Sequence, residues 1–297
     1  VERAYRPLSL AEALDIIDSE EVVPLAGGTD LMVQYRSWSG LPPQIDKPIM
    51  FIGHLEELRG AVEEEDGLFI GSSTTLTSLL AYGTLPQPLK SAVARIAGPS
   101  IRNRATIGGN LCNASPAADS LTPLYVLGAE VMLGSSSGRR ILPIGDFITG
   151  PGKTCLARNE LLLGVRIPNR SFNLRYFRKV GTRAAYSCAK LALAAACRTA
   201  GGRVADMGIA LGAVAPLVVR SDEAEQLLQG LNAREIEERI PQILGRYDGV
   251  IDPIDDQRSS AFYRRRASLR LIRHFIQQIL VPQLREEGGG SSSSGII

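Results

Sequence analysis

The sequence predicts a mixed α+β chain of more than one domain, and three observations carry that expectation. At 297 residues, 44% of them hydrophobic, the chain is long enough for a sizeable core and for roughly two domains. Short strand patterns alternate with short helical patterns as far as Ile167. Around Asn169 to Ser171 the pattern restarts with a hairpin and a run of helices, which marks a boundary.

Taken in order, Ser9 and Glu12 form a capping-box pattern, and Leu10, Ala13, Leu14 and Ile17 share one helical face. Val22 to Ala26 reads as a short buried strand. Gly27-Gly28 breaks it, and Thr29 or Asp30 can cap a helix through Leu31, Met32 and Val33. Ile45 to Ile52 reads as the next strand. Asp66-Gly67 is a hairpin-turn signal before the strand Leu68 to Ile70. Thr74 to Tyr82 predicts a short helix. A second helix presents Leu89, Ala92, Val93 and Ile96 before Gly98-Pro99 ends it. Ile101 to Asp119 is dense in Gly, Asn, Ser and Thr, with Ser115 as cap and Pro116 as first residue of the helix that follows. Val131 to Leu133, Ile141 to Ile144 and Leu161 to Ile167 read as three strands of one sheet. Ala189 to Ala200 carries a conflict: its Ala and Leu content favours helix, yet Gly201-Gly202 followed by Val204 to Val214 reads as a hairpin return. The hairpin is the expectation adopted. Helices near 221–229, 233–244 and 259–281 close the domain, and the Gly/Ser run from Gly288 to Ser294 predicts disorder.

Composition excludes several functions. With 33 basic and 31 acidic residues, a net charge of +2 gives no reason for a nucleic-acid or anionic-membrane partner. No apolar stretch approaches the ~20 residues a membrane helix needs, and the first residues hold no signal-peptide core. The four cysteines, Cys112, Cys155, Cys188 and Cys197, show no CxxC spacing, and the two histidines are His54 and His274. A metal or iron–sulfur site built from this chain alone is not expected, nor is a Ser-His-Asp or Cys-His hydrolase. Scattered thiols of this kind read as reduced cytoplasmic cysteines.

Two segments carry the chemistry: Ala26-Gly27-Gly28-Thr29-Asp30 and Thr106-Ile107-Gly108-Gly109-Asn110. Glycine lets backbone approach a ligand closely, and consecutive amides form a concavity for phosphate. Thr29, Thr106 and Asn110 add side-chain donors. Either segment alone can be an ordinary tight turn; together, with Gly98 to Asn103 between them, they are more specific. No G-x-G-x-x-G follows a strand, so a Rossmann fingerprint is absent. Gly152-Lys153-Thr154 resembles the end of a P-loop, but Phe147 stands where its first glycine belongs, and 150–154 reads as a loop.

Leu25 to Leu31, Ile96 to Leu111 and Asn113 to Asp119 resemble the flavin signatures of the molybdenum hydroxylases. The likeness runs to about residue 285 and is greatest to free-standing FAD subunits of the bacterial xanthine dehydrogenase type, with the carbon monoxide dehydrogenase medium subunit a relative. It implies a two-subdomain FAD-binding fold (PCMH-type), followed by a small C-terminal domain of antiparallel sheet plus helices. The implied division is 1–55, 56–170, 171–287 and a tail 288–297.

The resemblance also implies roles. Leu25, Ala26, Gly27, Gly28, Thr29, Asp30 and Leu31 would hold the ADP and diphosphate part of FAD. Thr106, Gly108, Gly109 and Asn110 would hold the diphosphate from the other side, with Cys112 and Asn113 continuing that segment. Asp119 matches a family aspartate on a sugar or ribityl hydroxyl, or is an acid in the first turn of a helix. Ile96 falls at a cofactor contact, or is core. Leu162 matches a residue against the flavin, or is a buried strand residue. Lys179 matches a lysine near the flavin edge, where a cation would favour anionic reduced flavin, or is a solvated strand lysine. Tyr186 is placed near the isoalloxazine. No residue is expected to act in acid–base catalysis, and none to bind metal.

The implied activity is electron relay: [2Fe-2S] clusters on a small partner feed FAD, which reduces NAD+ or another acceptor, while a large molybdopterin partner oxidises substrate, with a purine such as xanthine favoured. Alternatives are a carbon monoxide or aldehyde dehydrogenase flavin subunit, a stand-alone FAD-dependent oxidoreductase, and a scaffold whose glycine loops are only turns.

Overall fold

A computed structural model describes residues 3–38, 41, 44–183 and 186–289. The backbone divides into two compact units. The first comprises the chain up to Pro86, Val93–Ser115 and Gly128–Asn169; the second comprises Gln87–Ala92, Pro116–Leu127 and the chain from Arg170 onward.

The first unit opens with β1 (Ala4–Tyr5), α1 (Leu10–Ser19), β2 (Val23–Leu25), α2 (Leu31–Gln34) and β3 (Ile49–Phe51). The three strands form a parallel sheet in the order β1-β3-β2. Ser9 caps α1 by accepting from the Glu12 amide at 3.2 Å. The returning half of the expected box is displaced by one residue: the Glu12 carboxylate accepts from the Leu8 amide at 2.6 Å. Leu10, Ala13 and Ile17 of α1 pack with Met50, Leu55 and Leu58. Strand β3 is shorter than the predicted 45–52. Pro48 has no amide for a ladder, and the regular strand begins just after it.

Next come β4 (Ala61–Glu64), β5 (Gly67–Gly71), α3 (Leu76–Ala81) and α4 (Gln87–Val93). Thr75 caps α3. Helix α4 stops at Val93, short of the predicted Ile96. Ala97 takes a positive φ of 44° and Gly98 is extended before Pro99, a geometry the residue preceding proline favours. Pro99 therefore starts α5 (Pro99–Arg102). The Arg102 guanidinium donates back to the carbonyls of Ile96 and Ala97 at 2.9 and 2.8 Å, satisfying acceptors left by the break.

Helices α6 (Ile107–Cys112) and α7 (Leu121–Val126) follow. The helix start predicted at Ser115-Pro116 does not form. Ala114 has a φ of 47°, and the Pro116 carbonyl accepts from Ala213 at 2.8 Å. Helix α7 begins only after Ser120, so Asp119 is not a first-turn helical acid.

The first unit is completed by β6 (Glu130–Ser135), β7 (Gly138–Pro143), α8 (Ile144–Phe147), β8 (Ile148–Gly150), β9 (Lys153–Thr154) and β10 (Leu161–Pro168). Strands β4-β5-β10-β6-β7 form one antiparallel sheet, which contains the three strands expected together.

The second unit carries the antiparallel sheet β11 (Leu174–Val180), β12 (Leu191–Ala200) and β13 (Arg203–Gly212). The Ala-rich segment is a strand. Gly201 and Gly202, at φ 58° and 71°, supply the left-handed pair a tight hairpin requires. Leu191 to Cys197 are all buried, so both faces are covered and packing overrides helix propensity. Helices α9 (Asp222–Leu228), α10 (Ala233–Val250) and α11 (Ala261–Phe275) follow; a π turn at Ile276–Leu280 leads into α12 (Val281–Gly289). Asn232 and Glu235 cap α10 reciprocally. Gly288 and Gly289 lie in α12, correcting the expectation that the disordered tail starts there; the rest of that tail lies outside the described residues.

Candidate functional site

Within the first unit, a cleft of about 530 Å³ brings together fifteen of the eighteen residues singled out from the sequence. Leu25 to Leu31 form one side. Thr106, Gly108, Gly109, Asn110, Cys112 and Asn113 form another, and Ile96 and Leu162 also line it. The volume is within the usual range for cofactor and ligand pockets.

The glycines do two different jobs. A Cβ on Gly27 would lie 2.1 Å from the Arg104 carbonyl oxygen. Gly27 therefore lets the first loop pack backbone-to-backbone against residues 104–105. Gly108 does the same against Ser72, whose Cβ would be 2.6 Å away. Gly28 instead holds a positive φ of 74° with no crowding closer than 3.5 Å, the conformation that turns the chain from β2 toward α2.

The two sides also differ in their amides. Among the described residues, no backbone carbonyl accepts from the amides of Gly27, Gly28, Thr29 or Asp30, leaving that turn available to an anion. The second segment is different from the expected row of open amides. Ile107 donates to Thr74 at 3.1 Å, Gly108 to Ser72 at 2.8 Å and Asn110 to Thr106 at 3.0 Å. The Gly109 amide donates to Thr106 Oγ1 at 3.0 Å. Thr106 is thus the N-cap of α6, and its hydroxyl, which accepts from Gly109, can still donate its proton.

Sequence reasoning missed other lining residues, among them Gln34, Ile52, Ser72, Leu76, Ile101, Gly152, Leu156 and Glu160. Gln34 stands three residues past the first signature, and Gly152 belongs to the set-aside Gly-Lys-Thr. Glu160 is fixed by a bidentate pair with Arg140 at 2.6 and 2.7 Å and by the Ala157 amide at 2.8 Å. The Arg140 contact chiefly holds the Glu160 carboxyl below its ordinary value, against the opposing effect of burial. This anchors the loop carrying Leu156 just before β10, where Leu162 lies. Cys112 is exposed on the cleft, and desolvation pushes its thiol up to about 12, which favours the neutral thiol over a thiolate nucleophile.

Asp119, Lys179 and Tyr186 belong to the second unit. Lys179 is not a solvated strand lysine: its ammonium lies 2.5 Å from Asp119 Oδ2, and the two side chains are 8% and 6% exposed. Its charge is balanced within its own unit. Tyr186 is exposed at φ 53°, and its carbonyl accepts from Arg183 at 2.7 Å. Among the described residues no group of His, Cys, Asp or Glu could hold a metal.

The first unit therefore offers an anion-ready turn beside an apolar wall of Ile52, Leu76, Ile96, Ile101, Leu156 and Leu162. That combination fits a dinucleotide cofactor, whose diphosphate and flat ring make opposite demands, and defines a cofactor-binding protein without a Rossmann fingerprint. The chain belongs to the family of FAD-binding molybdopterin dehydrogenase subunits: residues 2–170 match the FAD binding domain in molybdopterin dehydrogenase, and residues 175–279 match the CO dehydrogenase flavoprotein C-terminal domain. It is 33% identical to the xanthine dehydrogenase FAD-binding subunit of Escherichia coli O157:H7, over 96% of this chain and 97% of that one. It is 31% identical to the glyceraldehyde dehydrogenase medium chain of Sulfolobus acidocaldarius, over 88% and 92%. The fold matches a chain of reconstituted CO dehydrogenase from Oligotropha carboxidovorans with a TM-score of 0.83 and 27% identity, over 92% and 95%. It is thus an FAD-binding oxidoreductase subunit of mixed α+β structure, with an FAD-binding domain followed by the expected C-terminal flavoprotein domain.

Proposed function

We propose that this chain is the electron-exit subunit of a multisubunit molybdenum hydroxylase. It takes electrons from [2Fe-2S] clusters on a small partner and passes them to NAD+ or another acceptor. A large molybdopterin-binding partner oxidises the substrate, for which we favour xanthine or another purine. The observation that carries this reading is the convergence of both glycine segments on one cleft. The near full-length likeness to a xanthine dehydrogenase FAD-binding subunit supports the purine assignment.

In this reading Gly27 to Asp30 receive the diphosphate through their amides, and Thr29, Thr106 and Asn110 add side-chain donors. Leu162, Ile96 and Leu156 exclude water from the ring's surroundings. Asp119, Lys179 and Tyr186 are proposed as cofactor-binding residues on the resemblance alone. Bound FAD supplies the exchange between one- and two-electron transfer; the chain supplies position and electrostatics. The free cysteines fit a reducing, cytoplasmic setting. Among the described residues no helix is long and apolar enough to cross a membrane.

The purified chain, reconstituted with FAD, is expected to show flavin absorption after gel filtration. A colourless chain would overturn the assignment. Co-purification from the native host with bound molybdenum and iron tests the partners, and flavin-dependent NAD+ reduction by that complex tests the acceptor.

A further inference from the structure

Gln34 joins the two cofactor segments, and no signature includes it. Its carboxamide donates to Asp30 Oδ2 at 2.5 Å and to Asn113 Oδ1 at 3.0 Å. Asp30 ends the first glycine segment, Asn113 closes α6 behind the second, and all three residues line the cleft. We infer that Gln34 is a positioning residue for FAD, a clasp that holds the two segments in register and orients both its acceptors. The inference rests on the proposal that this cleft holds FAD.

The chemistry of the three groups makes the case. An amide nitrogen has two N–H donors, and each meets one oxygen here. One is a carboxylate, so that bond is charge-assisted. Asp30 brings a negative charge to a cleft that is to receive an anionic diphosphate. Gln34 turns that carboxylate onto a donor and lowers the repulsion an anion would meet. At Asn113 the same donor fixes the side-chain oxygen toward Gln34, and so leaves the Asn113 Nδ2 donors for another acceptor. Gln34 thereby sets the polarity of two neighbours while its own position is set by α2.

Donor count, not side-chain length, is therefore decisive. Gln34→Met keeps the length and removes both donors. Gln34→Glu keeps the shape and replaces the donors by a charge facing Asp30. Gln34→Lys supplies donors again. We expect FAD release, followed by the recovery of free-flavin fluorescence from the reconstituted full chain, to quicken about tenfold in Gln34→Met, the scale of one lost hydrogen bond to a charged group. Gln34→Glu should be faster still, and Gln34→Lys should stay within about threefold of wild type. Melting temperatures of the FAD-free chains should agree within about 2 °C, since Gln34 is exposed.

Wild-type release rates in Gln34→Met and Gln34→Glu would overturn the inference while leaving FAD binding intact. So would equal loss in Gln34→Lys and Gln34→Glu, or FAD-free melting temperatures that fall in step with retention, which would make Gln34 a scaffold residue only. A wild-type chain that binds no FAD would overturn the underlying proposal, and this inference with it.

Discussion

Replacing Gly27 by alanine tests whether the cleft is shaped by loop-on-loop packing. The added Cβ would sit 2.1 Å from the Arg104 oxygen, 2.8 Å from its carbonyl carbon and 3.1 Å from Ala105 Cα. All three neighbours are backbone, so no side chain can swing aside. Relief requires the segments to part by roughly 1 Å, given carbon–carbon contact optima of 3.5–4.0 Å. Overpacking of this kind costs about 1–3 kcal/mol, and each 1.4 kcal/mol is about tenfold in affinity. FAD affinity should therefore fall by about tenfold to a hundredfold, measured by titrating the FAD-free chain and following flavin fluorescence. Two other glycines serve for comparison. Gly28→Ala meets nothing closer than 3.5 Å and pays only the left-handed backbone penalty of about 1–2 kcal/mol. Gly83→Ala enters open space and should leave binding unchanged. A Gly27→Ala chain that binds FAD within about twofold of wild type would refute the packing account.

Two further outcomes concern the second unit and do not depend on the cofactor. Lys179→Met would leave the Asp119 carboxylate buried without its ammonium, a loss of about 3–5 kcal/mol visible as a lower melting temperature; Lys179→Met with Asp119→Asn should recover most of it. An unchanged melting temperature in the single variant would refute the buried pair. Asp256 is held well below the usual carboxylate range, chiefly by Arg264 and then by the amides and side chain around Arg258, against the effect of its own burial. A depressed folded value means that its stabilisation is complete above the unfolded value near 4 and drains away as pH falls through the folded one. Urea unfolding of the wild type should lose stability steadily below about pH 4, and Asp256→Asn should flatten that loss; parallel profiles would refute it.

Much of this architecture is legible in the sequence because local signals and burial agree. Ser9, Thr75 and Asn232 each stand at a helix start where their side chains accept an amide. The Gly201-Gly202 turn outweighed an alanine-rich composition because left-handed glycines leave the chain little choice but to return. The cleft was legible as a set of residues, since both glycine segments line it. Its physical basis was not. Gly27 and Gly108 looked like places for a ligand to approach, yet the space they leave is filled by this chain's own backbone. No linear pattern reveals which neighbour occupies the space a side chain would need. The burial of Lys179 was hidden for the same reason: its partner Asp119 is sixty residues away. Boundaries failed where tertiary demands took over, as when the Pro116 carbonyl was claimed by Ala213 and the expected helix start was lost.

The unequal amides of the two segments imply a division of labour. Residues 107–110 satisfy their backbone donors on Thr74, Ser72 and Thr106, so that side would offer a proposed ligand shape and side chains. Among the described residues no carbonyl accepts from the amides of Gly27 to Asp30. Backbone recognition of an anion would thus fall to one short turn, already held in place by its packing on Arg104 and Ala105.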